Sequence, residues 1–218
     1  MDTLFATPFD PVRAPLGLLD RKPSALSTSR LRRLHDGLGR AKPRRPATDR
    51  LFFAILPDPD TAAQIADQAR HLRIAHGLTG KPLLPEHFHV TLCHVGDDVV
   101  PPPPELIEAV TERAASVAMP AFRVEFDRAM SFRNGAFVLS GDDSVIGLDI
   151  LQQRLSDALD SRPGQARRYT PHLTLLRDGH LVSERPIEPI GWTAREVVLV
   201  HSLLGKTTHR HLAHFPLQ

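Results

Sequence analysis

Residues 89–92 read His-Val-Thr-Leu and residues 172–175 read His-Leu-Thr-Leu, so one four-residue pattern occurs twice in the chain. Each copy lies in a stretch whose apolar residues predict a β-strand. Successive side chains of a strand point to opposite faces, so His and Thr share one face while the two apolar residues enter the core. Such a tetrapeptide is expected roughly 0.1 times in a chain of this composition. The repetition therefore indicates a duplicated structural element.

Strands and helices are predicted on both sides of these segments. Leu51–Leu56 is apolar throughout, which predicts a buried strand that ends before Pro57. After Asp60 the apolar residues recur with helical spacing, and Asp60 is a suitable N-cap for that helix. Strands and helices without strict alternation predict an α+β domain. The predicted strands are 51–56, 87–95, 122–126, 136–140, 169–176 and 195–204, with a weaker edge candidate at 212–217, and the predicted helices are 60–77, 104–117 and 145–159.

The N-terminal part of the 218-residue chain differs in composition from the rest. Residues 1–50 hold eleven Lys and Arg against five Asp and Glu, a net charge of +6, whereas the remaining 168 residues carry −4. This part is rich in Pro, Ser and Arg, a composition that cannot bury enough apolar surface to order itself. We therefore predict a disordered basic arm at 1–49 and a folded domain at 50–218. The arm either adds affinity for nucleic-acid phosphates or is an extension without a binding role.

Several classes of protein are disfavoured by composition. Cys93 is the one cysteine, which excludes a disulfide framework and a multi-cysteine zinc site and fits a reducing compartment. The longest apolar run, Leu51–Leu56, is far shorter than the roughly 18–20 residues that a membrane helix needs. No secretion signal is visible. We expect a cytoplasmic protein that does not interact with membranes.

Two histidines on one face suit the hydrolysis of a phosphodiester. A neutral imidazole takes a proton from the attacking water, and a protonated one gives a proton to the departing sugar oxygen. An unperturbed pKa of about 6.5 makes both forms accessible near neutral pH. The hydroxyls of Thr91 and Thr174 can hydrogen-bond the non-bridging phosphate oxygens. This scheme needs neither a metal nor a cofactor.

The two motifs, 83 residues apart, together with the opening segment Arg50-Leu51-Phe52-Phe53-Ala54, resemble the 2H phosphoesterase superfamily. The resemblance covers residues 50–217 and is closest to the bacterial 2′-5′ RNA ligase-like group, also described as RNA 2′,3′-cyclic phosphodiesterases. It implies two pseudo-symmetric lobes of antiparallel sheet with helices outside, each giving one His-X-Thr-X strand to a central cleft. It also implies hydrolysis of 2′,3′-cyclic phosphates to 2′-phosphates, with reversible 2′-5′ ligation as a side activity. By position, His89 would be the proton donor and His172 the proton acceptor.

Two residues near the second motif are candidates for substrate contacts. Arg177, five residues after His172, matches a family pattern in which an arginine contacts phosphate. An offset of five places it on the opposite face of a regular strand, so either a bulge or the strand end turns it inward, or it is a solvated arginine. Tyr169 either stacks on a base or ribose or is a core or rim aromatic residue.

The first motif departs from many relatives, which carry an arginine or an aromatic residue after it. Cys93 has the parity of His89, so it either approaches the cleft or is a buried, inert thiol. His94 has the opposite parity and either takes the place that Arg177 has in the second motif or lies at a strand edge. His87 lies either at the cleft rim or at the start of the strand.

Three alternative functions remain at this stage. The first changes the substrate to a small nucleotide or a 2′-5′ linkage, and the second is an RNA-binding module without turnover. The third is a metal hydrolase built on C-terminal histidines. The acidic balance of residues 51–218 argues against a broad duplex-binding surface, so we expect RNA ends or small nucleotides as substrates. We expect a monomer with no obligate protein partner. The histidines of the metal alternative are His209, His211 and His214.

Overall fold

The computed structural model of the protein describes residues 46–142, 145–159 and 169–218. Its strands are β1 (Asp49–Ile55), β2 (Val90–Asp98), β3 (Phe122–Ser131), β4 (Ala136–Ser140), β5 (Leu173–Arg177), β6 (Arg185–Ala194), β7 (Glu196–Leu203) and β8 (Thr208–Pro216). Its helices are α1 (Pro59–Ala75), α2 (Pro104–Ala114) and α3 (Ile146–Ala158), and a 3-10 turn at Pro85–His87 precedes β2.

The strands form an eight-stranded sheet in the order β6-β3-β4-β5-β2-β1-β7-β8, with antiparallel pairing throughout. The two strands that carry the repeated motif lie at its centre, where Val90 of β2 is opposite Leu173 of β5. An antiparallel sheet with a few helices confirms the α+β prediction. Four strands lie on each side of the central contact, and the more detailed prediction of two pseudo-symmetric lobes stays a prediction.

Helix α1 is confirmed, but it begins earlier than predicted. Asp58 is its N-cap, because the carboxylate accepts a hydrogen bond from the main-chain N–H of Thr61 at 2.9 Å. Pro59 then occupies the first turn, where a missing N–H costs nothing. The predicted cap, Asp60, lies within the first turn, where its negative charge favours the N-terminal end of the helix.

The sequence patterns missed strand β6. This strand pairs with β3 along Phe122–Ala129, and it contains Pro186 and Pro189. Proline cannot donate to a strand ladder, so the segment does not have the pattern of a central strand. Because β6 is at one edge of the sheet, it has a neighbour on one side and tolerates both prolines.

The predicted arm and domain boundary fall partly within the described residues. β1 begins at Asp49, one residue before the predicted boundary, and Asp49 is buried. Residues 1–45, most of the predicted arm, lie outside the described residues. Among the described residues, no helix has the length and apolar character to cross a membrane.

The sheet buries side chains on both faces. Phe53 belongs to the main core together with residues of all three helices, whereas Phe52 and Ala54 belong to a second cluster. Since neighbouring residues of a strand point to opposite faces, the second cluster lies on the face away from the helices. Val198 and Val200 of β7 complete this cluster. This second cluster is an apolar surface next to the repeated motif.

Candidate active site

The central contact of the sheet brings the two motifs together on one face. Val90 and Leu173 are directly opposite each other, and both have 0% exposed surface. Opposite residues of an antiparallel pair share a face, so the residues on either side of them point the other way. The side chains of that second face are half-buried, and they are His89, Thr91, His172 and Thr174. The predicted sharing of a face by His and Thr therefore agrees with the register.

Both histidines are held by the same main-chain hydrogen bond. Nδ1 of His89 lies 2.7 Å from the carbonyl oxygen of His87, and Nδ1 of His172 lies 2.7 Å from that of Thr170. A carbonyl oxygen can only accept, so Nδ1 carries the proton and donates it. In the neutral ring, Nε2 then holds the lone pair that can take a proton from a ligand.

The electrostatics of the site disfavour charge on both rings. Burial lowers the pKa of His89, and the nearby rings of His172 and His87 lower it further, against the effect of the carbonyl hydrogen bond. Burial also lowers the pKa of His172, and Arg177 adds to this effect. Both histidines are therefore biased toward the neutral form when no anion is bound.

A bulge in β5 brings Arg177 to the same face. Phe137 of β4 pairs with Leu176 and Val138 pairs with Thr174, which leaves Leu175 as an extra residue. Leu175 and Leu176 are consecutive and both fully buried, so the alternation of faces shifts by one after Thr174. Arg177 is consequently exposed on the face of Thr174, and it lines a cavity with His89. The bulge that the sequence required for an inward Arg177 is present.

The strand of the first motif contains a bulge at the matching position. Phe53 of β1 pairs with Cys93 and Ala54 pairs with Thr91, which leaves Leu92 as the extra residue. Leu92 and Cys93 are both buried, and His94 is exposed. After the bulge, His94 therefore lies on the face of Thr91.

This second bulge corrects the parity prediction for Cys93 and His94. Cys93 does not approach the cleft; its side chain is buried, with its sulfur 3.4 Å from the hydroxyl of Ser156. Burial raises the pKa of the Cys93 thiol, which keeps it protonated and unreactive. His94, which the parity rule placed on the core side, is instead a cleft residue.

His94 is oriented by an ion pair next to the cleft. Its Nε2 lies 2.8 Å from Oδ1 of Asp97. Arg50 of β1 donates two hydrogen bonds of 2.7 Å to the two oxygens of the same carboxylate. This pairing lowers the pKa of Asp97 to about 2, so the carboxylate is ionised at neutral pH.

Aromatic rings surround each motif histidine. The ring centroid of His89 is 5.0 Å from that of Phe52 and 5.3 Å from that of His209, a residue of edge strand β8. His172 has Phe132 at 4.8 Å. Burial and the neighbouring histidines lower the pKa of His209 to about 4, so its ring is neutral. His209 reaches the site because the sheet brings β8 over Phe52, a long-range arrangement that carries no local sequence signal.

An open cavity of about 390 Å³ lies over the first motif. Its lining includes His89, Thr91, His94, Arg177 and His209, and of its lining residues in the described part of the chain none is an Asp or Glu. A cavity with arginine and histidine but no carboxylate suits an anionic ligand. His172 and Thr174 lie beside it on β5 and are not part of its lining.

The remaining predicted residues lie away from this cavity. Tyr169 is half-buried against the main core, and burial raises the pKa of its hydroxyl, which favours the core alternative for this residue. His211 and His214 contact each other with ring centroids 5.7 Å apart, and Glu196 pairs with His214 at 3.2 Å. Within the described parts of the chain, no three His, Cys, Asp or Glu side chains are placed to share a metal ion.

Known proteins are similar to this chain in sequence and in fold. The family model of the 2′-5′ RNA ligase superfamily matches residues 57–205. E. coli LigT complexed with 3′-AMP is 28% identical, with a TM-score of 0.60 over 80% of this chain and 99% of LigT. A structure described as a phosphoesterase is 26% identical, with a TM-score of 0.62 over 80% of this chain and 99% of its own. A protein of Thermus thermophilus shares the fold at 21% identity, with a TM-score of 0.62 over 77% and 97% of the two chains. No curated protein matches the sequence.

Proposed function

Because the chain belongs to the 2′-5′ RNA ligase superfamily, we propose that it is a phosphodiesterase that opens 2′,3′-cyclic phosphate ends of RNA to 2′-phosphates. The observation that carries this proposal is the pair of equivalent histidines. His89 and His172 flank the central contact of the sheet, and each donates Nδ1–H to a main-chain oxygen. Two rings held in this way have two Nε2 atoms for the two proton transfers of a hydrolysis.

The proposed reaction is a single displacement at phosphorus. Nε2 of His172 takes a proton from a water molecule while the oxygen of that water forms a bond to phosphorus. The bond from phosphorus to the 3′ oxygen breaks, and Nε2–H of His89 gives its proton to that oxygen. The products are a 2′-phosphate and a free 3′-hydroxyl. With a 5′-hydroxyl in place of water, the same steps give 2′-5′ ligation, and their reverse cleaves a 2′-5′ linkage.

The remaining groups of the site stabilise the phosphate. In this scheme the hydroxyls of Thr91 and Thr174 bind its non-bridging oxygens, and Arg177, which lines the cavity with Thr91, supplies a positive charge for the transition state. The anionic substrate also favours the charged form of His89, which opposes the effect of burial on its pKa. The scheme uses no metal, since the histidines perform both proton transfers.

A small nucleotide is the second candidate substrate. The solved LigT structures include complexes with 3′-AMP and with phosphate, so that protein binds a mononucleotide. A cavity of about 390 Å³ has room for a nucleotide but not for a duplex. We propose single-stranded RNA ends or small nucleotides as the partners of a monomeric, cytoplasmic protein.

The test is turnover of a short RNA that ends in a 2′,3′-cyclic phosphate, in the presence of EDTA. Wild type is compared with His89→Ala and His172→Ala, and with His71→Ala, which changes an exposed histidine of α1. Resistance of the product to a 3′-phosphatase identifies a 2′-phosphate. We expect opening by wild type and His71→Ala, with a loss of at least about 100-fold in the two motif variants.

Other outcomes separate the alternatives. Opening that EDTA abolishes would indicate a metal hydrolase and contradict the two-histidine scheme. Binding of the RNA without turnover, by wild type with a native circular dichroism spectrum, would indicate a binding module. Turnover of mononucleotide cyclic phosphates alone would select the second candidate.

A further inference from the structure

After the motif, β2 and β5 have a bulge at the same position and the same order of buried and exposed residues. In β2 the extra residue Leu92 follows Thr91, and in β5 the extra residue Leu175 follows Thr174. Each bulge is followed by one more buried residue and then by an exposed one. His94 therefore occupies in β2 the position that Arg177 occupies in β5.

The two residues lie in opposite directions from the reaction centre. Because β2 and β5 are antiparallel and meet at Val90 and Leu173, moving from there toward His94 is moving away from Arg177. Both side chains nevertheless line the same cavity, which places basic groups at two ends of it. In the proposed reaction Arg177 serves the scissile phosphate, so His94, at the other end of the cavity, faces a different part of the substrate.

The hydrogen bond between His94 and Asp97 leaves the other ring nitrogen of His94 for a ligand. The carboxylate of Asp97 can only accept, so Nε2 of His94 carries a proton and donates it at 2.8 Å. Nδ1 is then the atom that remains for a ligand, and it donates when the ring is protonated. The position of Asp97 is in turn fixed by two hydrogen bonds from Arg50.

Among the described residues, no carboxylate lines the cavity beside His94, so none repels an anion there. Asp97 is the carboxylate in contact with His94, and both of its oxygens are already bonded to Arg50. The other titratable groups that line the same cavity are Arg50, Arg177, His87, His89 and His209.

We propose that His94 binds a second phosphate of the substrate, the one attached to the 5′ oxygen of the terminal nucleoside. This inference rests on the proposed function and narrows its substrate class. An RNA end always has that phosphate, whereas a nucleoside 2′,3′-cyclic phosphate lacks it. The preferred substrates are then RNA ends, or nucleoside 2′,3′-cyclic phosphates that also carry a phosphate on the 5′ oxygen.

The test compares binding of two product-like ligands by calorimetry, so that it does not depend on turnover. The ligands are adenosine 2′-phosphate and adenosine 2′,5′-bisphosphate, and the measured quantity is the ratio of their affinities. The proteins are wild type, His94→Ala, His94→Phe and His94→Arg, with His71→Ala as the matched control. We expect wild type and His71→Ala to prefer the bisphosphate by about tenfold, the effect of one charge-assisted hydrogen bond. The preference should disappear in His94→Ala and His94→Phe and return in His94→Arg.

Three results would overturn the inference. The first is equal affinity of wild type for the two ligands, and the second is an unchanged preference in His94→Ala. The third is a preference kept by His94→Phe, which would mean that the ring acts by stacking. If the RNA assay shows no hydrolysis while the His94-dependent preference persists, the proposed reaction fails and the phosphate site stands. If His94→Ala fails to fold, the comparison of wild type with His94→Phe still tests the inference, because His94→Phe is expected to lose the preference.

Discussion

Nδ1 of His89 lies 2.7 Å from the main-chain oxygen of His87, two residues earlier in the chain. The same relationship holds between His172 and Thr170. Each ring is thus oriented by the main chain just before its own strand, and among the described residues no carboxylate pairs with either ring to raise its basicity. Burial therefore decides the protonation of both rings, and it favours the neutral form.

The first prediction is an acidic optimum for the reaction. The pKa values of His89 and His172 are both below their ordinary value of 6.5 in the free protein. One ring must be protonated and the other neutral, so kcat/KM reaches its maximum between the two pKa values. We expect that maximum below pH 6.5, with activity falling as the pH rises toward 8. A profile of kcat/KM against pH on a cyclic-phosphate substrate measures it, and a maximum above pH 7 contradicts it.

The second prediction concerns Arg177, which the β5 bulge places on the face of the motif. Replacing it with Ala removes a cation from the transition state, and we expect kcat/KM to fall about 100-fold. Arg177→Lys keeps the charge but loses the planar fork, so it should recover part of the activity. Steady-state kinetics measure both variants, and Arg70→Ala on the exposed side of α1 is the control. A change of less than twofold in Arg177→Ala would mean that this side chain is only solvated.

The third prediction links His209 to stability in acid. Its pKa is lowered to about 4 in the folded protein, against about 6.5 in the unfolded chain. Between these values the unfolded chain binds the additional proton, so this ring contributes to a loss of stability as the pH falls from 6.5 toward 4. In His209→Phe that contribution is absent. Thermal unfolding at pH 7 and pH 4.5 should show a smaller decrease of Tm for the variant than for wild type, and equal decreases would refute the assignment.

The fourth prediction concerns the thiol of Cys93. It is buried next to Ser156, and burial raises its pKa. We expect no reaction with a thiol reagent such as dithiobis-nitrobenzoate at pH 8 in the native protein, and one equivalent of reaction in denaturant. Rapid labelling of the folded protein would show that Cys93 faces the cleft after all.

The fifth prediction concerns a buried pair that joins β1 to β7. Nε2 of His201 lies 2.6 Å from Oδ1 of Asp49, and both residues are buried. His201→Leu leaves the carboxylate without this partner, so we expect a loss of about 2 kcal/mol in the free energy of unfolding. Replacing Asp49 with Leu as well removes the buried carboxylate, which in the single variant keeps the Thr48 hydroxyl as a partner but lacks His201, and should recover part of that loss. Urea unfolding measures both variants, and a double variant less stable than the single one contradicts the explanation.

Much of the site follows from the sequence because strand alternation is a local property. The pattern of His89 and Thr91, repeated in the second motif, was enough to place these side chains on one face. The need for a bulge before Arg177 could also be derived, since an offset of five conflicts with alternation. The same reasoning failed at Cys93, because it assumed a regular β2. Two consecutive apolar residues after each Thr, Leu92-Cys93 in the first motif, are the signal that marks the bulge in both strands.

Other features depend on partners that the sequence does not name. β6 is a strand because β3 lies beside it. Its prolines keep the segment from having a strand-like sequence pattern, so the strand could not be predicted from the sequence. His209 looked like part of a C-terminal histidine cluster, yet it separates from His211 and His214 to contact His89. The contact with His89 depends on the place of β8 in the sheet, which is a long-range property.

The central contact of the sheet also has a mechanical consequence. Among the described residues, Val90 and Leu173 are the pair in register between β2 and β5, whereas β2 and β1 are paired along their whole length. A sheet resists bending least where its ladder is shortest, and the two histidines stand on either side of that place. A small rotation there would change the distance between the two Nε2 atoms while each ring stays bonded to the main chain just before its own strand. The junction of β2 and β5 is therefore the place where a rotation of one half of the sheet against the other would change the width of the active site.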